Sequence, residues 1–169
     1  LENGILDINT LSIESHNPAH IFFGKIPVKF DSSADYPAIK KFLAEILPPD
    51  AILLIQEIAG YCLYKGYPFQ KAFMLVGSGA NGKSTLITVL KRFLGENNCA
   101  SLALQQLEND KFALASLHGK LVNLFADLPS RALQQTSIFK MLTGGDLISA
   151  EKKFQHRFSF TNYAKQIFS

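Results

Sequence analysis

The 169-residue sequence contains no tryptophan, two cysteines and three arginines. Without tryptophan, aromatic burial must come mainly from the 14 phenylalanines. The two thiols, Cys62 and Cys99, lie far apart and match no metal or redox spacing, which argues against a disulfide scaffold or a zinc module. We therefore expect buried, reduced thiols and a cytoplasmic location.

Long hydrophobic runs are also lacking. The longest apolar stretch, residues 51–64, is interrupted by Gln56, Glu57 and Gly60, so it is too short and too polar to cross a bilayer. We see no signal peptide and no low-complexity tract, and we expect no membrane partner. Apolar residues make up 47% and charged residues 18%, a composition typical of a globular chain and not of a disordered one.

Charge is distributed unevenly along the chain. Residues 1–128 hold 11 Lys and Arg against 12 Asp and Glu, whereas residues 129–169 hold six against two. A basic C-terminal part can mark a surface that faces a polyanion, although an ordinary solvated face gives the same asymmetry.

The most informative segment reads KAFMLVGSGANGKSTLIT, residues 71–88. Gly77, Gly82, Lys83 and Ser84 fit the phosphate-loop pattern G-x-x-x-x-G-K-[ST]. An apolar run predicts a strand before the loop, and helical spacing of apolar residues predicts a helix after it. Such a loop directs backbone N–H groups and a helix N-terminus at an anion, so the segment predicts a nucleoside triphosphate site.

This pattern assigns chemistry to individual side chains. Lys83 is expected to reach the β- and γ-phosphates of ATP, and the Ser84 hydroxyl is expected to ligate Mg²⁺. The candidate nucleotide-binding residues are Gly77, Ser78, Gly79, Ala80, Asn81, Gly82, Lys83, Ser84 and Thr85.

An acid that helps to hold Mg²⁺ or to polarise water is expected at the carboxyl end of a neighbouring strand. The apolar segment LVNLFA, residues 121–126, ends at Asp127. We predict that Asp127 is a metal ligand and a catalytic residue together with Lys83. The alternative is that Asp127 only caps the turn at Pro129.

The segment after Gly145 predicts two short strands around a basic tip. Lys152, Lys153 and His156 lie at or near this tip and are flanked by aromatic residues. Ammonium groups beside aromatic faces suit a phosphodiester strand, so these three residues are candidates for binding one. An exposed basic hairpin without a ligand is the plainer interpretation.

The chain divides at the linker of residues 66–70. We predict a small N-terminal α+β domain over residues 1–68 and an ATPase core over residues 69–169. Strands and helices alternate after residue 71, with helices predicted over residues 105–117 and 130–142, and this order predicts an α/β fold with a parallel sheet. In the first part, residues 21–30 are predicted to form a strand, and Asp50 is predicted to cap a helix.

The order of these parts resembles the superfamily 3 helicases. The motifs are GSGANGKS, a strand ending in ADLP, then LTGGDLISAEKKF and a final strand AKQIFS. The chain is most similar to virus- and plasmid-encoded primase–helicases of the phage P4 and poxvirus D5 type, and the resemblance runs from about residue 3 to residue 169. It implies an AAA+-like ATPase that forms a ring, usually a homohexamer, and threads one strand of single-stranded or forked DNA. In that family the basic hairpin lines the pore and grips the DNA backbone, which implies that Lys152, Lys153 and His156 bind DNA.

The resemblance covers part of such a motor. The asparagine that senses the γ-phosphate and the arginine finger would follow Ser169, so we expect the 169 residues alone to be mainly monomeric and to hydrolyse ATP poorly. Two other classes stay open: a non-helicase phosphate-loop ATPase or kinase, and an ATP-gated DNA-binding or oligomerisation module. The three arginines, Arg92, Arg131 and Arg157, do not cluster as a kinase lid requires.

Overall fold

The structure, a computed structural model, describes residues 1–128 and 136–169. The helices are α1 (Pro37–Ile46), α2 (Pro49–Leu63), α3 (Lys83–Leu94), α4 (Leu104–Asn109), α5 (Lys111–Ala115) and α6 (Ser137–Gly144). The strands are β1 (Ile5–Leu6), β2 (Ile13–Glu14), β3 (Phe73–Met74), β4 (Cys99–Ala100), β5 (Val122–Phe125), β6 (Leu147–Ala150), β7 (Phe158–Thr161) and β8 (Lys165–Phe168). The helix predicted over residues 130–142 lies in part outside the described residues.

A parallel four-stranded sheet forms the centre of the fold, with the strand order β3-β8-β5-β4. In its register Phe73 pairs with Ile167, Val122 pairs with Lys165, and Cys99 pairs with Val122. The predicted α/β fold with a parallel sheet is therefore confirmed. Because all four strands run in one direction, their carboxyl ends meet at one edge, where parallel α/β sheets place their ligands.

The hydrophobic core joins this sheet to the helices on both sides of residue 68. Leu43 of α1 and Ile58 of α2 belong to the same buried cluster as Leu86 of α3 and Leu124 of β5. A hydrogen bond from Asn98 Nδ2 to the Lys25 carbonyl, 2.8 Å long, adds a polar link between the N-terminal segment and the end of α3. The domain boundary at residue 68 stays a prediction, and the helices on its N-terminal side contribute to the packing of the sheet.

A second buried cluster lies under the β6–β7 hairpin. It contains Leu107 of α4, Leu142 of α6, Ile148 of β6 and Phe160 of β7. Asn162, after β7, secures this cluster because its Nδ2 donates to the Leu142 carbonyl at 2.8 Å. The hairpin therefore has a hydrophobic base of its own, separate from the cluster beneath the glycine-rich loop.

The N-terminal segment differs from the expectation. Residues 21–30 form no strand, so that prediction is wrong. Their polar backbone groups pair elsewhere: the Asn3 side chain accepts from Phe30 N at 3.0 Å and donates to Phe30 O at 2.9 Å. Pro27 lacks a backbone N–H and so weakens any ladder through this stretch.

Two helix ends also differ. Asp50 lies in the first turn of α2, and Pro48 is the N-cap residue. The single helix predicted over residues 105–117 is divided into α4 and α5, because Asp110 lies in extended conformation and its side chain accepts from Phe112 N as the cap of α5. None of the helices in the described ranges is long and apolar enough to cross a membrane.

Lys165 is fully buried at the start of β8. Its Nζ donates to the carbonyls of Tyr64, Gly66 (2.8 Å) and Tyr163 (3.1 Å) and lies 4.4 Å from the centre of the Tyr61 ring. Burial lowers the pKa of Lys165 from 10.5 to about 8. One ammonium group thus ties the linker after α2 to the central strand of the sheet.

Candidate functional site

The glycine-rich loop lies between β3 and α3, at the carboxyl edge of the sheet. Its end depends on Gly82, which caps α3 with a left-handed φ of 85°. A Cβ at this position would also lie 2.7 Å from Ile46 Cγ2 of α1. Glycine is required here both by the backbone conformation and by the close approach of α1.

Gly77 is constrained by a contact within the loop. A Cβ on Gly77 would lie 2.1 Å from Asn81 Nδ2, so any larger residue would displace the Asn81 amide. Ala80, between them, also has a left-handed φ of 56°. The loop is therefore curled tightly around the Asn81 side chain.

Lys83 points back into this loop. Its Nζ donates to Asn81 Oδ1 at 2.7 Å, to Ser78 O at 3.0 Å and to Gly77 O at 3.1 Å. These three bonds use all three protons of an ammonium group. The loop thus binds the ammonium group of Lys83, the predicted phosphate-binding residue, through its own carbonyl and amide oxygens.

The first turn of α3 has an open N-terminus. No acidic residue lies in this turn, and no side chain caps it. Ser84 and Thr85, both exposed, follow Lys83 here. Because the first N–H groups of a helix lack intrahelical partners and carry positive partial charge, this end is suited to an anion.

Asp127 follows β5 at the same edge of the sheet. It is exposed and has a left-handed φ of 60°, a conformation that Asp and Asn tolerate better than most residues. Two backbone hydrogen bonds bracket it: Leu128 N to Ser169 O at 2.9 Å and Ser169 N to Phe125 O at 3.1 Å. The end of β8 therefore fixes the path of the chain at Asp127.

The strand before Asp127 is not the direct neighbour of the loop strand. β8 lies between β3 and β5, so the expectation of adjacent strands is wrong. Leu75, which leads into the loop, donates to Phe168 O of β8 at 2.8 Å. Along the carboxyl edge of the sheet, the loop after β3 is followed by Ser169 after β8 and then by Asp127 after β5. Among the described residues no ion pair joins Asp127 to Lys83.

The basic tip lies on the β6–β7 hairpin, which packs on a different buried cluster from α3. β6 and β7 pair antiparallel from Leu147–Thr161 to Ala150–Phe158, which leaves residues 151–157 as the tip. Lys152, Lys153 and His156 are all exposed there. The structure thus places the three predicted DNA-binding residues together at one exposed tip.

Glu151 anchors the base of the tip. Its carboxylate pairs with Lys111 Nζ of α5 at 3.0 Å and with Arg157 Nε at 3.5 Å. The hydrogen bond from Lys111, supported by the charges of Lys111 and Arg157, lowers the pKa of Glu151. Its negative charge is therefore compensated, and the outward side chains of the tip are basic.

Some features of the site could not be read from the sequence. The hydrogen bond between Asn81 and Lys83 was missed, because spacing alone does not show a lysine folded back on its own loop. Phe154 at the tip was not singled out; its position between Lys153 and His156 was the available signal. Among the described residues no cluster of three or more His, Cys, Asp or Glu side chains could by itself hold a metal ion.

The fold and this edge define an α/β protein with a glycine-rich loop at the carboxyl end of a parallel sheet. Residues 75–169, more than half of the chain, match the model of a family of unknown function (DUF5906), so the chain belongs to that family. Residues 1–48 match a second family described as D5 N terminal like. This match supports the relation to D5-type replication proteins that the order of the motifs indicated.

Solved structures of the NrS-1 C-terminal region share the fold. The apo structure of its residues 305–718 has a TM-score of 0.63 and 18% identity, over 79% of this chain and 33% of that chain. A second apo structure, called the A form, has a TM-score of 0.59 and 17% identity, over 79% and 32%. The chain therefore spans about a third of the length of the structures that it matches.

Proposed function

We propose that this chain is the ATP-driven motor segment of a D5-type replication protein, a DNA helicase of superfamily 3. In this proposal ATP and Mg²⁺ bind at the loop of residues 77–85, and hydrolysis drives movement along single-stranded or forked DNA that is held at the β6–β7 hairpin. The observation that carries the proposal is the position of Lys83, inside a curled glycine loop at the carboxyl edge of the parallel sheet.

The residues present at the loop fit a triphosphate. Side chains larger than glycine at positions 77 and 82 would occupy the curl, at 2.1 Å from Asn81 and 2.7 Å from Ile46. Lys83 Nζ lies within 3.1 Å of its three acceptors in the loop, Asn81 Oδ1 and the carbonyls of Ser78 and Gly77, and phosphate oxygens would replace these acceptors, Asn81 Oδ1 included. The open N-terminus of α3 adds N–H donors on the same side.

Mg²⁺ would supply charge neutralisation between the β- and γ-phosphates. Ser84 lies in the first turn of α3 and would offer its hydroxyl to the ion. Asp127, at the end of β5, would hold the ion or orient the attacking water. Both residues lie at the carboxyl edge of the sheet, which supports their assignment to one site.

The hairpin would grip the DNA. Lys152, Lys153 and His156 project from a tip whose one acid, Glu151, is already paired, so phosphates can approach without repulsion. The hairpin leads through β7 into β8, which reaches the candidate nucleotide edge at Ser169. Because β7 continues into β8, a change at the loop on nucleotide binding could move the hairpin tip through these two strands. Assembly as a homohexameric ring is proposed from the family resemblance.

The first test is nucleotide binding. A fluorescent ATP analogue is titrated against the wild-type chain and Lys83→Ala with Mg²⁺ present, while circular dichroism checks folding. Because a hydrogen bond to a charged group contributes about 1.5–3 kcal/mol, Lys83→Ala should weaken binding at least about tenfold. Equal affinities in two folded proteins would contradict the proposed site.

The second test separates a helicase motor from a kinase. Single-stranded DNA is added to the same chain, and binding is followed by the anisotropy of a labelled oligothymidylate. A motor should bind this strand more weakly as salt rises. Nucleotide binding without any DNA binding would favour the kinase alternative.

A further inference from the structure

The tip of the β6–β7 hairpin carries one aromatic ring in an unusual setting. Phe154 is fully exposed. Its φ of 62° lies in the left-handed region, which a phenylalanine adopts only at a cost in conformational free energy. The hydrogen bond from Gln155 N to Lys152 O, 3.1 Å long, closes the turn that presents this ring. The backbone thus holds an apolar ring outward at a position where glycine or asparagine would be favoured.

The other two phenylalanine rings of the hairpin have aromatic partners. Phe158 stacks on Phe160 with ring centres 5.8 Å apart, and the His118 ring contacts both edge-on at 5.2 Å. In the described part of the chain, Phe154 takes part in none of the aromatic pairs. The Phe154 ring does not contribute to the packing of the hairpin, so a contribution to stability does not explain why phenylalanine occupies this position.

The charges around Phe154 indicate what can cover it. Lys152, Lys153 and His156 are exposed on either side, and Arg157 closes the tip. Glu151, the acid at the tip, is already bound to Lys111 and Arg157. A ligand that fits the tip must offer a flat aromatic face to the Phe154 ring and negative charges to the neighbouring basic side chains. A single-stranded nucleic acid offers both, through its unpaired bases and its phosphates.

We infer that Phe154 stacks on an unpaired base of single-stranded DNA while the neighbouring cations hold the phosphates. This inference rests on the proposed function of the hairpin and adds to it a contact with bases. Stacking depends on the ring and not on charge, so it contributes to affinity at every salt concentration. Alanine substitution of a stacking aromatic typically weakens binding by about fivefold or more.

The chain offers a direct reporter because it contains no tryptophan. In Phe154→Trp the only indole of the protein would lie at the tip, where stacking on a base should quench its fluorescence. Phe23→Trp is the matched control, since Phe23 is 97% exposed and belongs to the N-terminal segment and not to the hairpin. Each protein is titrated with oligothymidylate and with an abasic oligomer of equal length, and binding is followed in parallel by anisotropy.

The expected result is quenching of Phe154→Trp by oligothymidylate, with little quenching by the abasic oligomer and none in Phe23→Trp. Oligothymidylate that binds Phe154→Trp without quenching it would overturn the stacking contact and leave the DNA-binding proposal standing. If the wild-type chain binds neither oligomer, both proposals fail.

A second variant separates stacking from folding. Phe154→Gly suits the left-handed backbone, so it should keep the thermal stability of the chain while it weakens oligothymidylate binding about fivefold or more. The slope of log affinity against log salt should stay unchanged, because no charge is removed. Unaltered affinity in the folded variant would overturn the inference.

Discussion

Lys83 Nζ donates its shortest hydrogen bond, 2.7 Å long, to Oδ1 of Asn81, two residues earlier in the same loop. The cation that would bind phosphate is thus paired within the loop before any ligand arrives. A phosphate that binds here must replace Asn81 as the acceptor, so part of its binding free energy is spent on breaking this bond. If the loop binds phosphate as proposed, Asn81 would therefore weaken that binding by competing for the Lys83 ammonium group.

Asn81→Ala should bind a fluorescent ATP analogue more tightly than wild type. The hydrogen bond that competes with phosphate is lost, and a net contribution of about 1 kcal/mol corresponds to about fivefold. Titration with Mg²⁺ present measures this, with Lys83→Ala as the variant that loses binding. Weaker binding by Asn81→Ala would show instead that the amide assists the phosphates.

Asp127→Asn should weaken the dependence of nucleotide binding on Mg²⁺. Asparagine tolerates the left-handed φ of 60° as well as aspartate does, so the variant removes a charge and preserves the backbone. We expect a several-fold higher Mg²⁺ concentration at half-saturation and unchanged binding in chelator. If nucleotide binding depends on Mg²⁺ concentration in the same way for both proteins, Asp127 is not a metal ligand and only stabilises the turn.

Gly82→Ala should destabilise the chain by about 1–3 kcal/mol, because alanine meets both the left-handed φ and the Ile46 side chain of α1. Urea unfolding of the wild type, Gly82→Ala, Ile46→Ala and the double variant measures this. The second substitution should reduce the additional cost of Gly82→Ala by relieving the clash. If the changes in unfolding free energy caused by Gly82→Ala and Ile46→Ala are additive, Ile46 does not clash with the alanine side chain.

Lys152→Ala with Lys153→Ala should lower the salt dependence of single-stranded DNA binding. Each phosphate contact that is lost reduces the slope by roughly 0.7. ATP affinity should be unchanged, since the hairpin and the loop pack on separate clusters. Lys40→Ala with Lys41→Ala, an exposed pair on α1, is the control and should keep the wild-type slope. If the hairpin variant keeps the wild-type slope of log affinity against log salt, these lysines do not contact the DNA phosphates.

Lys165→Met should destabilise the chain by about 2 kcal/mol or more, because the buried carbonyls of Tyr64, Gly66 and Tyr163 lose their donor. The loss should grow with pH. Burial lowers the pKa of Lys165 from 10.5 to about 8, so the unfolded chain holds more protons between these values. Wild-type stability relative to Lys165→Met is therefore lowest below pH 8 and rises toward pH 10.5.

Urea unfolding of both proteins from pH 7 to pH 10 tests this. Burial raises the pKa of Cys62 to about 12 and of Cys99 to about 11, which lowers stability as pH rises above 9. Both thiols are present in both proteins, so taking the difference largely removes their effect. A stability difference that stays constant over this range would mean that Lys165 keeps an ordinary pKa in the folded chain.

Local features of this protein could be predicted from neighbouring residues in the sequence. Glycines at positions 77 and 82 before Lys83 predicted the curl of the loop, and apolar spacing predicted α3, because turns and helices are set by neighbouring residues. The two short strands predicted around a basic tip are confirmed as the β6–β7 hairpin, whose strands are close in sequence. The parallel sheet followed from the order of strands and helices.

The tertiary structure decided which distant segments meet. β8 lies between β3 and β5, although it comes last in the chain, because strand order depends on long-range pairing that no local pattern contains. The burial of Lys165, the approach of Ile46 to Gly82 and the irregular path of residues 21–30 have the same origin: each depends on partners tens of residues away. Spacing predicted which residues could bind a phosphate, and only packing showed that Lys83 is held by Asn81.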